Sequence, residues 1–100
     1  MAAELTVTTI DTDGTIAVSG ELDTHTAPQL AEHLAGIAEG TAVVLDLSGT
    51  TFISSAGLST ILNAQRQLSS SGGSLRVASP TVAVARLIEL SGLNATLGLS

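Results

Sequence analysis

The chain has 100 residues, the length of a single domain at about 100–200 residues per domain, so residues 1–100 are expected to form one unit. Hydrophobic residues make up 44% of it and charged residues only 12%, a composition that packs a core and excludes intrinsic disorder. Nine acidic residues against three arginines give a net charge of −6, and a lone aromatic residue, Phe52, offers neither a stacking platform for bases nor an interface anchor of the usual kind. Nucleic-acid binding is therefore not expected.

The absence of cysteine excludes disulfides and thiolate metal sites and fits a reducing compartment. Residues 1–4 show no secretory signal, so cytoplasmic residence is expected. The uncharged stretch 47–65 is rich in Ser, Thr and Gly and lacks the ~20 predominantly apolar residues of a membrane span. The net negative charge favours a soluble monomer.

The first half of the chain predicts a hairpin and then a helix. Residues 4–10 and 15–20 show β-branched alternation around a Gly-containing turn at 11–14. Residues 26–29 (TAPQ) have the form of a capping box with Pro in the first turn, so a helix begins there and ends at Gly40.

A buried central strand is predicted next, because residues 42–47 are apolar without alternation until Asp46. A polar loop follows. A second helix follows, with an apolar stripe from Leu58 to Leu68. Residues 75–78 predict a short strand, and a third helix runs from Ser79-Pro80 to near Gly92. Residues 93–99 are long enough for at most one edge strand.

This order predicts an α/β fold: a mixed sheet of four to five strands that opens with a β-hairpin and has helices packed against it through right-handed crossovers. The loops that leave the carboxyl ends of the strands would begin at Gly20 and Asp46. In open α/β sheets this edge is where binding sites usually form.

Two polar segments interrupt the apolar pattern, at 20–23 (GELD) and 46–58 (DLSGTTFISSAGL). They resemble the STAS domain and, more closely, bacterial anti-sigma factor antagonists, whose signature is a strand ending in Gly-Glu-(Leu/Ile)-Asp and, later, Asp-Leu-Ser, a Phe, a short Ser-containing stretch and Gly-Leu. The resemblance covers nearly the whole chain, since residues 26–28 and 91–93 also match the family's pattern.

The resemblance implies that Ser55 is phosphorylated by a partner serine kinase that is itself the anti-sigma factor. The preceding residue is often Asp in the family and is Ser54 here, so Ser54 is the alternative acceptor. The family's acids after the first hairpin and at the strand end map onto Asp23 and Asp46. The implied partner-binding residues are Glu21, Asp23, Asp46, Ser48, Ser54, Ser55 and Gly57.

The unphosphorylated chain would bind the kinase and thereby free a sigma factor, and a serine phosphatase would reset the phosphorylated form. Independently of the resemblance, Ser55 lies at or near the N-cap of the second helix, where a phosphate is compatible with the helix dipole. Its charge of about −1.5 to −2 would repel an acidic patch on a partner.

Simpler interpretations of the same residues stay open. The Ser54-Ser55 pair is often only a helix cap, Asp23 and Asp46 can be local cap and turn formers, and Gly57 can serve close packing alone. The alternative function is a non-switching STAS subunit of a larger assembly, such as a stress-signalling complex or a lipid transporter.

An enzyme is not expected. A hydrolase triad could be drawn from Ser55, one histidine (His25 or His33) and one aspartate (Asp23 or Asp46). The sequence argues against it, because the nucleophile-elbow pattern and Gly-rich oxyanion segments are missing. No acidic or His cluster has metal-ligand spacing, and no phosphate-cradling loop is present, so no metal or cofactor is expected.

Overall fold

The computed structural model describes residues 5–9 and 14–99. Four strands form one sheet in the order β1-β2-β3-β4, with β1 antiparallel to β2 and the other two pairs parallel. The predicted mixed sheet with an opening hairpin is therefore confirmed, although parts of the predicted hairpin, residues 4 and 10–13, lie outside the described residues. In chain order the elements are β1 (Thr6–Thr9), β2 (Thr15–Leu22), α1 (Ala27–Ala35), β3 (Ala42–Ile53), α2 (Ser55–Ser70), β4 (Ser74–Ala78) and α3 (Val82–Leu90).

The core lies on one face of this sheet. The register pairs Ile16 with Leu45 and Leu45 with Val77, so these three side chains point to the same side, and all are buried. Helices α1 and α2 cover that face and pack against each other, because successive right-handed crossovers between neighbouring parallel strands fall on one side. Each helix contributes fully buried side chains, among them Leu30, Ile61 and Ile88.

Strand β3 is twice as long as the sequence predicts. The predicted strand ends at Leu47 and gives way to a polar loop, whereas β3 continues to Ile53. Its second half pairs with the end of β2, with Gly20 opposite Thr50. Thr50 is fully buried and its hydroxyl donates to the Val18 carbonyl oxygen at 2.8 Å. A Ser/Thr/Gly-rich segment therefore stays in the sheet, because its backbone and its buried hydroxyl find partners there.

The other differences lie at element ends. Helix α1 ends at Ala35 instead of continuing to Gly40, and α3 begins at Val82, with Thr81 and not Ser79-Pro80 before its first turn. Thr81 caps α3 through its hydroxyl, which accepts the Val84 N–H. Residues 93–99 form turns in place of an edge strand and give β4 only one backbone bond, from Val77 N–H to the Leu97 carbonyl oxygen at 2.8 Å.

None of the helices within 5–9 and 14–99 combines the length and the apolar character that a membrane crossing requires.

Candidate functional site

The ends of β2 and β3 and the start of α2 meet at one edge of the sheet, called the carboxyl edge below and defined by residues 21–23 and 52–55. The parallel register sets Glu21 opposite Phe52 and Leu22 opposite Ile53. The Ser54 N–H donates to the Leu22 carbonyl oxygen at 2.9 Å, which ties the residue before α2 to the end of β2. Four predicted site residues are thus brought together: Glu21, Asp23, Ser54 and Ser55.

The two serines occupy different positions. Ser54 is the N-cap of α2: its backbone is extended and its hydroxyl accepts the Gly57 N–H at 3.2 Å. Ser55 is the first residue of the helix and is exposed, whereas Ser54 is half-buried. The cap that the sequence placed at or near Ser55 is therefore Ser54. Ser and Asp are about equally good N-caps, so replacing the family's Asp by Ser54 keeps the cap and removes its negative charge.

Gly57 lets the first turn of α2 approach the end of β2. It is buried, and a Cβ built on it would lie 2.7 Å from both the Leu22 carbonyl oxygen and Leu22 Cγ. A third close atom, Ile53 Cγ1, would be at 3.2 Å. The position of Gly57 is therefore set by packing, and it shapes the carboxyl edge from beneath the surface.

Asp23 stabilises the turn that leads into α1. Its Oδ1 accepts the N–H groups of His25 and Thr26 at 2.9 and 3.0 Å, and the Thr26 hydroxyl accepts the Asp23 N–H at 3.0 Å. This reciprocal pair has the hydrogen-bond pattern of a capping box, but it lies in the turn before α1, whose N-cap residue is Thr26. The predicted box of Thr26 and Gln29 is wrong, because the Thr26 hydroxyl is engaged in this turn and the Gln29 amide donates to the Leu5 carbonyl oxygen.

These hydrogen bonds make Asp23 a source of acid sensitivity. The Thr26 N–H, with a smaller contribution from the His25 N–H, holds the pKa of the Asp23 carboxyl below its ordinary value of 3.8. The Asp23 carboxyl therefore binds a proton more readily in the unfolded chain than in the folded one. Its contribution to the free energy of unfolding is present above the pKa of the unfolded state and is lost as pH falls through the pKa of the folded state. We expect the urea midpoint of unfolding to fall below about pH 4, and Asp23→Asn to show a shallower decline. An equal decline in Asp23→Asn would contradict this; Glu32→Gln, on the exposed side of α1, is the charge-matched control.

Asp46 and Ser48 lie away from the carboxyl edge. Asp46 pairs with Ala17 inside the sheet, and its Oδ1 accepts the Ser48 N–H at 2.9 Å where the β2–β3 register shifts. The predicted loop from Asp46 is wrong, since the strand continues to Ile53 and Phe52 lies six residues after Asp46, about 20 Å away at ~3.3 Å per residue. Asp46 thus stabilises an irregularity in β3, and a part for it in partner binding stays a prediction.

The two histidines that suggested a hydrolase triad make other contacts in the structure. The backbone N–H of His25, not its ring, contacts the Asp23 carboxylate. The His33 ring lies 3.4 Å from the Thr9 hydroxyl on β1. Among residues 5–9 and 14–99 no group of three or more His, Asp or Glu side chains is arranged to hold a metal ion.

Sequence reasoning set aside one residue that the structure brings to the carboxyl edge. Phe52 is half-exposed, although it is the only aromatic residue of the chain. The exposed Val82 at the start of α3 lies near the same edge, because the Thr81 hydroxyl donates to the Thr50 carbonyl oxygen at 3.0 Å. The sequence feature that could have identified Phe52 is its isolated position within a polar segment. That segment was predicted to be a loop, so the place of Phe52 on a strand was missed.

Comparisons with known proteins agree with this architecture. Residues 4–100 match the family model of the STAS domain. The anti-sigma-B factor antagonist of Bacillus subtilis (strain 168) is 28% identical over 91 residues, which cover 90% of this chain and 84% of that protein. The crystal structure of an anti-sigma factor antagonist from Mycobacterium paratuberculosis is 34% identical, with a TM-score of 0.83 over 99% of this chain and 89% of that one.

A third relative shares the fold at lower identity. The Bacillus cell fate determinant SpoIIAA, solved in its phosphorylated form, has a TM-score of 0.63 and 20% identity over 91% of this chain and 86% of that one. At that identity the likeness concerns the fold alone.

Proposed function

Since the chain belongs to the STAS domain family, we propose that it acts as an anti-sigma factor antagonist. The unphosphorylated form binds a serine kinase anti-sigma factor through the carboxyl edge and so frees a sigma factor. A phosphate on Ser55 ends the complex, and a serine phosphatase removes it. The names of the Bacillus and Mycobacterium relatives support the antagonist role.

The observation that carries the proposal is that the two serines differ in hydrogen bonding and in exposure. Ser54 is half-buried and its hydroxyl oxygen caps α2, whereas Ser55 is exposed at the first helical position. A kinase can reach the Ser55 hydroxyl without breaking the cap. Ser55 is therefore the acceptor, and Ser54 stays a structural residue.

A phosphate on Ser55 is compatible with the folded chain. The first turn of α2 contains no acidic residue, and a dianion there is favoured by the helix dipole and the free N–H groups of that turn. The phosphate instead acts on the complex, because the docked kinase would have to bury a bulky dianion at the exposed Ser55 position without a partner for its charge. SpoIIAA, which has the same fold, has been solved carrying its phosphate.

Phosphorylation in vitro tests the proposal. The purified chain is incubated with ATP and a serine kinase anti-sigma factor from the organism that encodes it, and fragmentation mass spectrometry separates Ser54 from Ser55. We expect one phosphate on Ser55, retained in Ser54→Ala and lost in Ser55→Ala.

A phosphate on Ser54 would contradict the assignment. A chain that binds the kinase but never carries a phosphate, in vitro or in cells grown with and without stress, would favour the non-switching STAS subunit. The feature that left that alternative open, Ser54 in place of Asp, has a structural explanation in the retained cap.

A further inference from the structure

Two apolar side chains are exposed near the end of β3. Phe52 is 50% exposed at the end of β3, and Val82 is 86% exposed as the first residue of α3. The hydrogen bond from the Thr81 hydroxyl to the Thr50 carbonyl oxygen, 3.0 Å, holds the start of α3 against the end of β3. The start of α3, which carries the exposed Val82, therefore lies close to the end of β3, which carries the exposed Phe52.

The position of Phe52 depends on an irregularity in the sheet. Between the pairs Gly20–Thr50 and Glu21–Phe52, β2 advances by one residue and β3 by two, so Thr51 is an extra residue. Both Thr51 and Phe52 are exposed as a result, while Thr50 and Ile53 on either side are buried. Bulges of this kind re-aim side chains next to functional sites.

Acidic groups border this apolar surface on the β2 side. Glu21 is exposed and lies directly opposite Phe52 in the register. Asp23 follows two residues later, and its pKa is held low by the Thr26 N–H, so it is ionised at neutral pH. Of the three arginines of the chain, Arg86 is the one near Val82, one turn further along α3. A partner that binds over Phe52 would be electrostatically complementary if it carried cationic groups opposite these carboxylates.

On the basis of the proposed function, we propose that Phe52 and Val82 are the apolar anchors of the docking surface. The serine kinase anti-sigma factor then presents an apolar pocket to Phe52, with basic side chains at the rim that faces Glu21. Aromatic residues, Phe among them, are enriched at the cores of protein–protein interfaces, where a few buried side chains supply most of the binding energy. A phosphate on Ser55 would lie three residues along the chain from the Phe52 anchor.

Isothermal titration of variants tests the inference, with a purified serine kinase anti-sigma factor from the organism that encodes the chain as the titrant. We expect Phe52→Ala to raise Kd at least tenfold, about 1.4 kcal/mol, and Val82→Ser to raise it about threefold. Glu21→Gln should weaken binding less and reduce its dependence on salt. Leu90→Ser is the matched control, because Leu90 is 73% exposed at the opposite end of α3, and its Kd should equal that of the wild type.

Different results would overturn the anchor assignment and the proposed function on which it rests. Wild-type affinity in both Phe52→Ala and Val82→Ser, with binding lost in Ser55→Asp, would overturn the anchor assignment and leave the proposed function intact. No binding and no phosphorylation of the wild-type chain would overturn the proposed function and the anchors with it. Thermal unfolding of each variant verifies that the fold is retained, which is expected because both side chains are exposed.

Discussion

Ser55→Asp is expected to weaken binding to the serine kinase anti-sigma factor by at least 100-fold, about 2.7 kcal/mol, while leaving the thermal unfolding midpoint unchanged or slightly higher. Ser55 is exposed at the first position of α2, where a carboxylate interacts favourably with the helix dipole. The same charge is unfavourable for the proposed docking, because the kinase would cover the Ser55 position and bury the added carboxylate without a cationic partner of its own. Titration calorimetry and thermal unfolding of the same preparations measure the two effects.

The control for this variant must carry the same charge elsewhere. Ser74→Asp serves, because Ser74 is exposed at the beginning of β4, at the opposite edge of the sheet. Its Kd should match that of the wild type, and Ser55→Ala should bind normally but escape phosphorylation. Equal weakening by both Asp variants would mean that net charge, not the place of the charge, controls the complex.

Gly57→Ala is expected to destabilise the chain by about 1–3 kcal/mol through overpacking. The added Cβ would lie 2.7 Å from the Leu22 carbonyl oxygen, which already accepts the Ser54 N–H. That oxygen belongs to the backbone, so α2 must move away from β2. The gain in helix propensity, at most about 1 kcal/mol, does not offset this cost. At roughly 4–8 °C per kcal/mol for a domain of this size, thermal unfolding detects the change easily.

Gly36→Ala is the matched control for this substitution. Gly36 follows α1 with a φ of −82°, and a Cβ there would meet only the His33 carbonyl oxygen, at 3.6 Å. Replacing Gly where the backbone is compatible with Ala stabilises by about 0.4–1 kcal/mol or changes little. If Gly57→Ala were as stable as Gly36→Ala, the close approach of α2 to Leu22 would not be a constraint.

Most of the fold could be predicted because its signals are local. The β-branched alternation of 15–20, the apolar run from Ala42 and the stripe from Leu58 to Leu68 each fix an element type without knowledge of the rest. The second half of β3 could not be predicted in this way. Its Ser, Thr and Gly residues read as a loop, and only pairing with the end of β2 gives their backbone groups partners.

The candidate site could be predicted in part for the same reason. The motif that contains Ser55 predicts a phosphate acceptor, but a linear pattern cannot show whether Ser54 or Ser55 supplies the capping oxygen. The reciprocal bonds of Asp23 and Thr26 were mistaken for a box one turn later, because both positions carry good capping residues. The exposure of Phe52 depends on an extra residue in β3, which the sequence does not show.

The pairing of the ends of β2 and β3 also determines which surface the proposed kinase partner could recognise. Glu21 and Phe52 come from distant parts of the chain and become neighbours only when the parallel register has formed. The Ser54 N–H to Leu22 bond then fixes the start of α2, so Ser55 is displayed by tertiary structure. A nascent or unfolded chain contains the same acceptor sequence without this surface. Under the proposed function, phosphorylation of Ser55 would therefore be limited to folded chains, and the switch would also report that the protein is native.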